Sequence, residues 1–469
     1  MNSSIYFDDS LPAFAALVCD EWGEKAISEN FFLRDVTGRL TFIVLSEKYS
    51  IETRATLAKK ASDTLGNYVD NNGFAIATPD ELFDERLKDL TKARKIHLNS
   101  IVFSGAVYLV DRRMVGADWL RNPAPSASPP TRFVFASIKG GVGRSTALCV
   151  LAAHLATHGR RVLAIDMDLE APGLGNMLLP DGTLPKFGLL DYLVEQSLGS
   201  LDDQFYADMI GASWLGGGRG RVDVLPAIGQ RSLDNPANVL AKIARAYLGG
   251  GEQNCELDLN GEPPSFMDNM SILLDRISDP LRYDAILIDA RAGLHETTAA
   301  AVVGLGAEVF FFGLNQPQTF AGYDLLLAHL ATLPIDLNDD WRNRIKFIQA
   351  KVPESPVIRE EFSQNMNTLF QKHFWPSSTS SDNQIDMTSL KDTFEVEWIE
   401  DTTLEKTPLL EDDKTIPTIS ILDDRRFSSF SPSTDRDSLL ERIYSVTFGE
   451  LLEIATEMVD DSIIKRPVS

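Results

Sequence analysis

The sequence predicts an α/β fold: a doubly wound, mostly parallel sheet preceded by a smaller N-terminal α/β domain. Three observations carry this. From Arg132 onward, continuous apolar runs alternate with helical segments, as in a parallel sheet covered on both faces. The hydrophobic fraction is 44% over 469 residues, ample for a large core. Between Asn122 and Thr131, proline and small polar residues dominate, the composition of an extended linker. We therefore expect an N-terminal domain over 1–122, a linker over 123–131 and a main domain over 132–469, in line with the roughly two or three domains that this length suggests.

In the first domain, Leu40–Leu45 (LTFIVL) is apolar and β-branched and reads as a strand. Ile51–Val69 has helical spacing, with Ser50 placed to cap it. His97–Val110 is a second β-rich stretch. In the main domain, strands are expected at Arg132–Ser137, Arg161–Asp166, Val222–Pro226, Ala285–Asp289, Glu308–Gly313 and Ile345–Ala350. A helix over Ser145–His158 is closed by Gly159. Residues 376–437 are acidic and rich in Ser and Asp and read as an insertion, with Glu395–Ile399 as a candidate strand inside it. Leu439–Val459 carries the apolar stripe of a C-terminal helix.

The charge bounds the partners. With 44 Lys and Arg against 68 Asp and Glu, the formal net charge is −24. Residues 381–437 hold 15 acidic and 6 basic side chains, which accounts for −9 of it. Nonspecific nucleic-acid affinity comes from Lys and Arg neutralising phosphates, so a broad DNA-binding surface is disfavoured. In contrast, Arg132 to Ile165 contains no acidic residue and carries Arg132, Lys139, Arg144, Arg160 and Arg161. Cys19, Cys149 and Cys255 are far apart and in no CxxC pattern, so neither a disulfide framework nor a zinc–thiolate site is expected. MNSSIYFDDSLP lacks the basic and apolar regions of a signal peptide. The longest apolar stretch, Ala299–Leu314, is short of the ~20 residues of a membrane span and includes Glu308. The C-terminal helix carries Glu441, Glu450, Glu453 and Glu457, the wrong sign for anionic lipid. These points lead to an expected cytoplasmic location.

The informative motif is Ser137-Ile-Lys-Gly-Gly-Val-Gly-Arg-Ser-Thr146, which follows a strand and opens a helix. Gly140, Gly141, Val142 and Gly143 let backbone N–H groups turn toward an anion, and the helix N-terminus adds its positive dipole. Ser145 is placed to coordinate Mg²⁺, and Thr146 to bond a phosphate oxygen. The standard pattern GxxxxGK[ST] fails twice, with Ile138 at its first Gly and Arg144 at its Lys. Arg keeps the charge but differs from Lys in size and shape, so binding survives the exchange more readily than catalysis. The plain alternative is a glycine-rich turn without a ligand.

Lys139-Gly-Gly-Val-Gly-Arg-Ser-Thr146 resembles the deviant Walker A motif KGGVGK[ST] of ParA/MinD-type ATPases, departing from it at Arg144. It is more similar still to a bacterial subgroup with KGGVGR in this loop. The resemblance covers roughly 131–350, and more faintly 390–455. It implies a P-loop NTPase fold, ATP and Mg²⁺ as ligands and an ATP-dependent homodimer in which Lys139 reaches the partner's nucleotide. It also implies slow hydrolysis, with Arg144 leaving the hydrolytic step open.

Carboxylates follow in the places such chemistry needs. Arg161-Val-Leu-Ala-Ile-Asp166 ends a strand, and Asp168 and Glu170 alternate beyond it. The C-terminal end of a parallel strand is where α/β sheets bind ligands. The resemblance gives Asp168, with Asp166, the positioning of the attacking water; otherwise they cap the turn at Pro172-Gly173. Tyr283-Asp-Ala-Ile-Leu-Ile-Asp289 reads as a Walker B strand whose Asp289 holds the Mg²⁺ shell. The resemblance implies a switch segment after it that ends in Gly, which Gly293 fits; Arg291 is either a γ-phosphate sensor or a surface ion pair, and His295 is read as structural. Phe347–Pro353 resembles the base-contacting strand, offering Gln349 and Lys351 where relatives often have Asn, so adenine over guanine rests on the resemblance.

Two function classes compete. The first is an ATP-dependent dimerisation switch that recruits or regulates a protein partner, as an ATP hydrolase. The second is a non-hydrolysing nucleotide sensor or adaptor, or a partition or positioning ATPase. The KGGVGR-type resemblance implies bacterial signalling or antiviral defence; residues 1–122, in which nothing forms a recognisable site, are expected to bind the protein partner.

Overall fold

The computed structural model describes residues 5–46, 48–70, 73–216, 220–247, 264–353, 355–375, 415–428, 430–432 and 434–465. Two compact units divide at Ala117/Asp118.

The first unit is built on a five-stranded mixed sheet. Its strands are β1 (Phe31–Arg34), β2 (Leu40–Ile43), β3 (Ile76–Ala77), β4 (Arg94–Asn99) and β5 (Ser104–Asp111), in the order β3-β2-β1-β5-β4. Helices Phe7–Trp22 and Ile51–Leu65 cover one face, where Leu11, Phe14, Val18, Leu57 and Ala61 pack on Phe32 and Phe42. The Ser50 hydroxyl accepts the Thr53 N–H, so the expected cap is in place.

The second unit holds an eight-stranded sheet in the order β13-β12-β11-β6-β10-β7-β9-β8. Its strands are β6 (Thr131–Ser137), β7 (Arg161–Asp166), β8 (Gly211–Ala212), β9 (Arg221–Leu225), β10 (Ala285–Ala292), β11 (Glu308–Gly313), β12 (Ile345–Val352) and β13 (Thr418–Leu422). Every pairing is parallel except β8 with β9. Alternate residues of each central strand enter different cores. Phe133, Phe135, Phe310 and Phe312 pack under helices Arg144–Thr157 and Glu441–Ile464. Val134, Ile286, Phe311 and Phe347 pack under Phe266–Ile277, Pro317–Leu330 and Pro356–Phe374. Burial of both faces is why the strands read as continuous apolar runs.

Two expectations change. The proline-rich stretch is fastened to the second unit instead of spanning free. Ala124 and Ala127 donate their N–H groups to Val303 O and Gly306 O at 2.9 Å, and Ser126 bonds Asp339 through its amide and its hydroxyl, both at 2.6 Å. Gly306 makes room for it: a Cβ there would sit 2.1 Å from Pro125 O. Part of the presumed insertion is sheet, since β13 pairs with β12. Glu395–Ile399, the candidate strand, lies outside the described residues. Among the described residues no helix is long and apolar enough to cross a membrane.

Candidate functional site

Strand β6 runs up the centre of the sheet and hands the chain to the loop 138–143, which opens helix Arg144–Thr157. Gly141 (φ 75°) and Gly143 (φ 94°) are in the left-handed region, where a side chain is strained. Nothing lies within 4 Å of where a Cβ at Gly140, Gly141 or Gly143 would be, so the loop's outer side is an open cradle. Val142 points inward, into the core under the helix.

The neighbouring strand β10 brings Asp289 against the mouth of that helix. Ser145 Oγ donates to Asp289 Oδ2, and Arg144 Nε stands 3.9 Å from Asp289 Oδ1. Both Arg144 and Asp289 are buried, yet Arg144 Nη1 and Asp289 Oδ1 have no hydrogen-bond partner. A buried cation and a buried carboxylate oxygen, each with capacity left over, fit a phosphate and a divalent cation. Burial raises the Asp289 carboxyl above its ordinary range, against the pull of Arg144 and Ser145.

On β7, next to β10, Asp166 is buried and accepts the backbone N–H groups of Asp168, Gly173 and Leu174 at 3.1, 2.9 and 3.0 Å. Those bonds favour the charged form. Burial, and then the Asp289 charge, outweigh them and push the carboxyl up to about 7. Asp166 is thus the organiser of the loop that presents Asp168. The partly exposed Asp168 accepts the Ala171 N–H at 3.1 Å. Lys139 is exposed, with its carbonyl held by Ser137 Oγ at 2.8 Å and no ion pair to its ammonium among the described residues.

A second group lies at the rim. Arg291 pairs with Glu170, and Tyr247 Oη donates to the same carboxylate at 3.4 Å. His295 Nε2 is 4.0 Å from it. His295 also begins the short helix Glu296–Ala299, and burial and then Arg291 lower its pKa. The segment that follows β10 is tied to the phosphate loop's strand by the Gly293 N–H, which donates to Ser137 O at 2.8 Å.

Of the other wall of the loop, sequence reasoning named Gln349 and Lys351 but missed the part that follows Thr418. A cleft beside Gly143 and Thr146 is lined by Lys351, Asp423, Asp424, Phe427, Thr447 and Phe448 among others. Lys351 has φ 54°, rare for a side chain of its size, and donates to Gly141 O at 3.0 Å. Gln349 is buried under this wall, its amide donating to Ile358 O at 3.2 Å. The available signal was Thr418-Ile-Ser-Ile-Leu422 followed by Asp423-Asp424, an apolar strand with strand-end carboxylates, hidden in an otherwise acidic stretch.

The CobQ/CobB/MinD/ParA nucleotide-binding domain model matches residues 133–367, half of the chain, including the phosphate loop, Asp166, Asp168 and Asp289 but not the cleft wall at 421–448. The chain belongs to this family. It is a ParA/MinD-type nucleotide-binding ATPase chain with an N-terminal unit outside the matched region. Similar solved structures include a Borrelia burgdorferi B31 chain assigned to plasmid partition and bound to AMPPNP, with 16% identity and a TM-score of 0.39 over 70% of this chain and 100% of that one. MinD of Aquifex aeolicus has 14% identity and a TM-score of 0.41, over 72% and 99%. The pNOB8 ParA bound to nonspecific DNA has 17% identity and a TM-score of 0.33, over 53% and 77%. Among curated proteins none matches the chain. The ParA/MinD assignment rests on the family match.

Proposed function

We propose that this chain is a Mg²⁺-dependent ATPase that works as a nucleotide-controlled dimerisation switch. The observation that carries the reading is the meeting of Ser145, Asp289 and Arg144 at the helix mouth, with buried polar atoms left unpartnered beside an open glycine loop. Backbone N–H groups of Gly140, Gly141, Val142 and Gly143 would hold the phosphates, with Arg144 and Thr146 against their oxygens. Ser145 and Asp289 would hold Mg²⁺, which supplies charge neutralisation on the phosphates when bound. Asp168 orients the attacking water, and Asp166 fixes the turn from which Asp168 projects. The exposed Lys139 is free to reach a second protomer's nucleotide. The cleft between Thr146 and Phe448 is the seat for the base, with adenine favoured by the family.

Such a switch acts through the different affinities of its two states for a partner. We take that partner to be a protein in a bacterial signalling or defence system, with the N-terminal unit as its docking module. The −24 charge and the acidic C-terminal helix weigh against nonspecific DNA and anionic membrane. Cytoplasmic residence belongs to the same reading and is supported by the sparse, separated cysteines.

A second reading is a nucleotide sensor that binds without hydrolysing, favoured by Arg144 in the lysine position. Phosphate release by the wild type, Asp168→Ala and Arg144→Lys decides between them, with ATP-dependent mass measured in parallel. The switch predicts slow wild-type release that falls about 10²-fold or more in Asp168→Ala. Equal release by these two, with ATP still driving dimers, sinks the enzyme reading and leaves the sensor. No ATP-induced thermal shift at all would make the loop vestigial.

A further inference from the structure

The helix that opens at the phosphate loop, Arg144–Thr157, presents His154 in its last turn and His158 at its C-cap. This i, i+4 spacing stacks the two imidazoles on one face, with ring centroids 4.3 Å apart. The C-terminal helix Glu441–Ile464 packs beside them and brings Glu441 in its first turn, with Oε1 3.5 Å from His158 Nε2. One donor atom from each of His154, His158 and Glu441 lies within 4.8 Å of the other two.

The hydrogen bonds already select donor atoms. His158 Nδ1 is 2.9 Å from the His154 carbonyl, so Nδ1–H donates and the Nε2 lone pair is turned toward Glu441. His154 Nδ1 is 3.3 Å from Tyr444 Oη on the same C-terminal helix. Such partners on the second nitrogen are what orient metal-bound imidazoles.

We propose that His154, His158 and Glu441 bind a borderline divalent transition ion, zinc foremost. Two imidazoles and a carboxylate are too nitrogen-rich for Ca²⁺ or Mg²⁺, and three protein ligands leave one tetrahedral position for water. Bonds of about 2.0–2.1 Å require the donors to close to roughly 3.3 Å of one another. His158 and Glu441, with side chains 43% and 51% exposed, have room to make that movement. The ion would clamp together two helices that both line the cleft beside the phosphate loop, through Thr146 on one and Thr447 and Phe448 on the other. The simpler arrangement is a metal-free His–Glu ion pair.

Zinc chloride titrated calorimetrically into the chelator-treated full chain, under saturating Mg²⁺ to occupy the carboxylate-rich site, separates the two. The expected result is one zinc per chain, with affinity falling at least about tenfold in both His158→Gln and Glu441→Gln. Cobalt(II) should give the visible absorption of a tetrahedral nitrogen and oxygen site, lost in the same variants. Both substituted side chains are exposed, so folding survives even where His154→Gln does not. No zinc binding by the wild type, or equal affinity in wild type and His158→Gln, overturns the proposal.

Discussion

At the scale of single residues, the site is an economy of buried charge. Arg144 and Asp289 face each other without forming a close pair, and Asp166 sits behind Asp289 with three amides on it. Asp118 is buried as well, accepting the Met267 N–H at 2.8 Å. Burial pushes Asp118 up to about 6 and Asp166 up to about 7, against roughly 3.9 in an unfolded chain. Between those values the folded state keeps protons that the unfolded state has released, so stability falls as pH rises. This contribution is complete below about pH 4 and is lost as pH passes through 6 to 7. Asp84 and Asp424 act in a different window. Arg86 and Arg426, respectively, hold them down to about 2, so their contribution is present above about pH 4 and lost only as pH falls toward 2. Melting temperatures from pH 4 to 7 should therefore slope downward, and Asp118→Asn should flatten the part near 6. An unchanged slope in both Asp118→Asn and Asp166→Asn would refute the assignment.

At the scale of elements, the loops fit because glycines allow backbone to touch backbone. Gly188 and Gly229 lie against each other beside β9. A Cβ on Gly229 would sit 2.3 Å from Phe187 C and 2.5 Å from Gly188 N, with no flexible side chain to yield. Gly229→Ala should cost about 1–3 kcal/mol of unfolding free energy in urea titrations; a change below about 0.5 kcal/mol would show that the two segments part freely. The same scale shows what was legible. The strands β6, β7, β10, β11 and β12 announced themselves as apolar runs because both their faces are covered, and the glycines of 140–143 and Asp289 were readable because their chemistry leaves little choice of residue. Helix Phe7–Trp22 was overlooked although Leu11, Phe14, Ala15 and Val18 have its spacing, since Pro12 in its second turn argues against a helix. Strand β13 was overlooked because its Ile419, Ile421 and Leu422 are a short apolar pattern within a stretch rich in acidic residues, and composition averages over the window. The pairing of Arg291 with Glu170 was out of reach: 121 residues separate them, and only the adjacency of β7 and β10 joins them.

At the scale of the whole molecule, the acid is spread unevenly along the sequence: Arg132–Ile165 has none. The phosphate loop lies in a stretch free of carboxylates, and its carboxylate neighbours arrive from other strands, at distances fixed by the sheet. The order of strands does this. β6 is flanked by β10 on one side and β11 on the other, so the loop after β6 is bracketed by the ends of both.

The far edge of that sheet is closed by a late arrival. β13, the turn after it and the helix Glu441–Ile464 come after residue 414, and together they supply Ile421, Leu422, Asp423, Asp424, Phe427, Thr447 and Phe448 to the cleft. The chain is thus divisible into a body and a lid-bearing tail that meet through strand pairing and helix packing. Fragments 1–375 and 415–469 expressed together should reassociate, since β13 can add to β12 without a covalent link. If the proposed nucleotide fills the cleft, mass action demands that it tighten this union, and the fragments in turn must bind nucleotide better together than the body does alone. Pull-down of the tagged tail with and without ATP and Mg²⁺ reads this directly: retention that rises with nucleotide supports it, and retention indifferent to nucleotide removes the tail from the binding site. Divisibility of this kind would make the tail a handle, a place where something outside the nucleotide pocket can grip one of its walls.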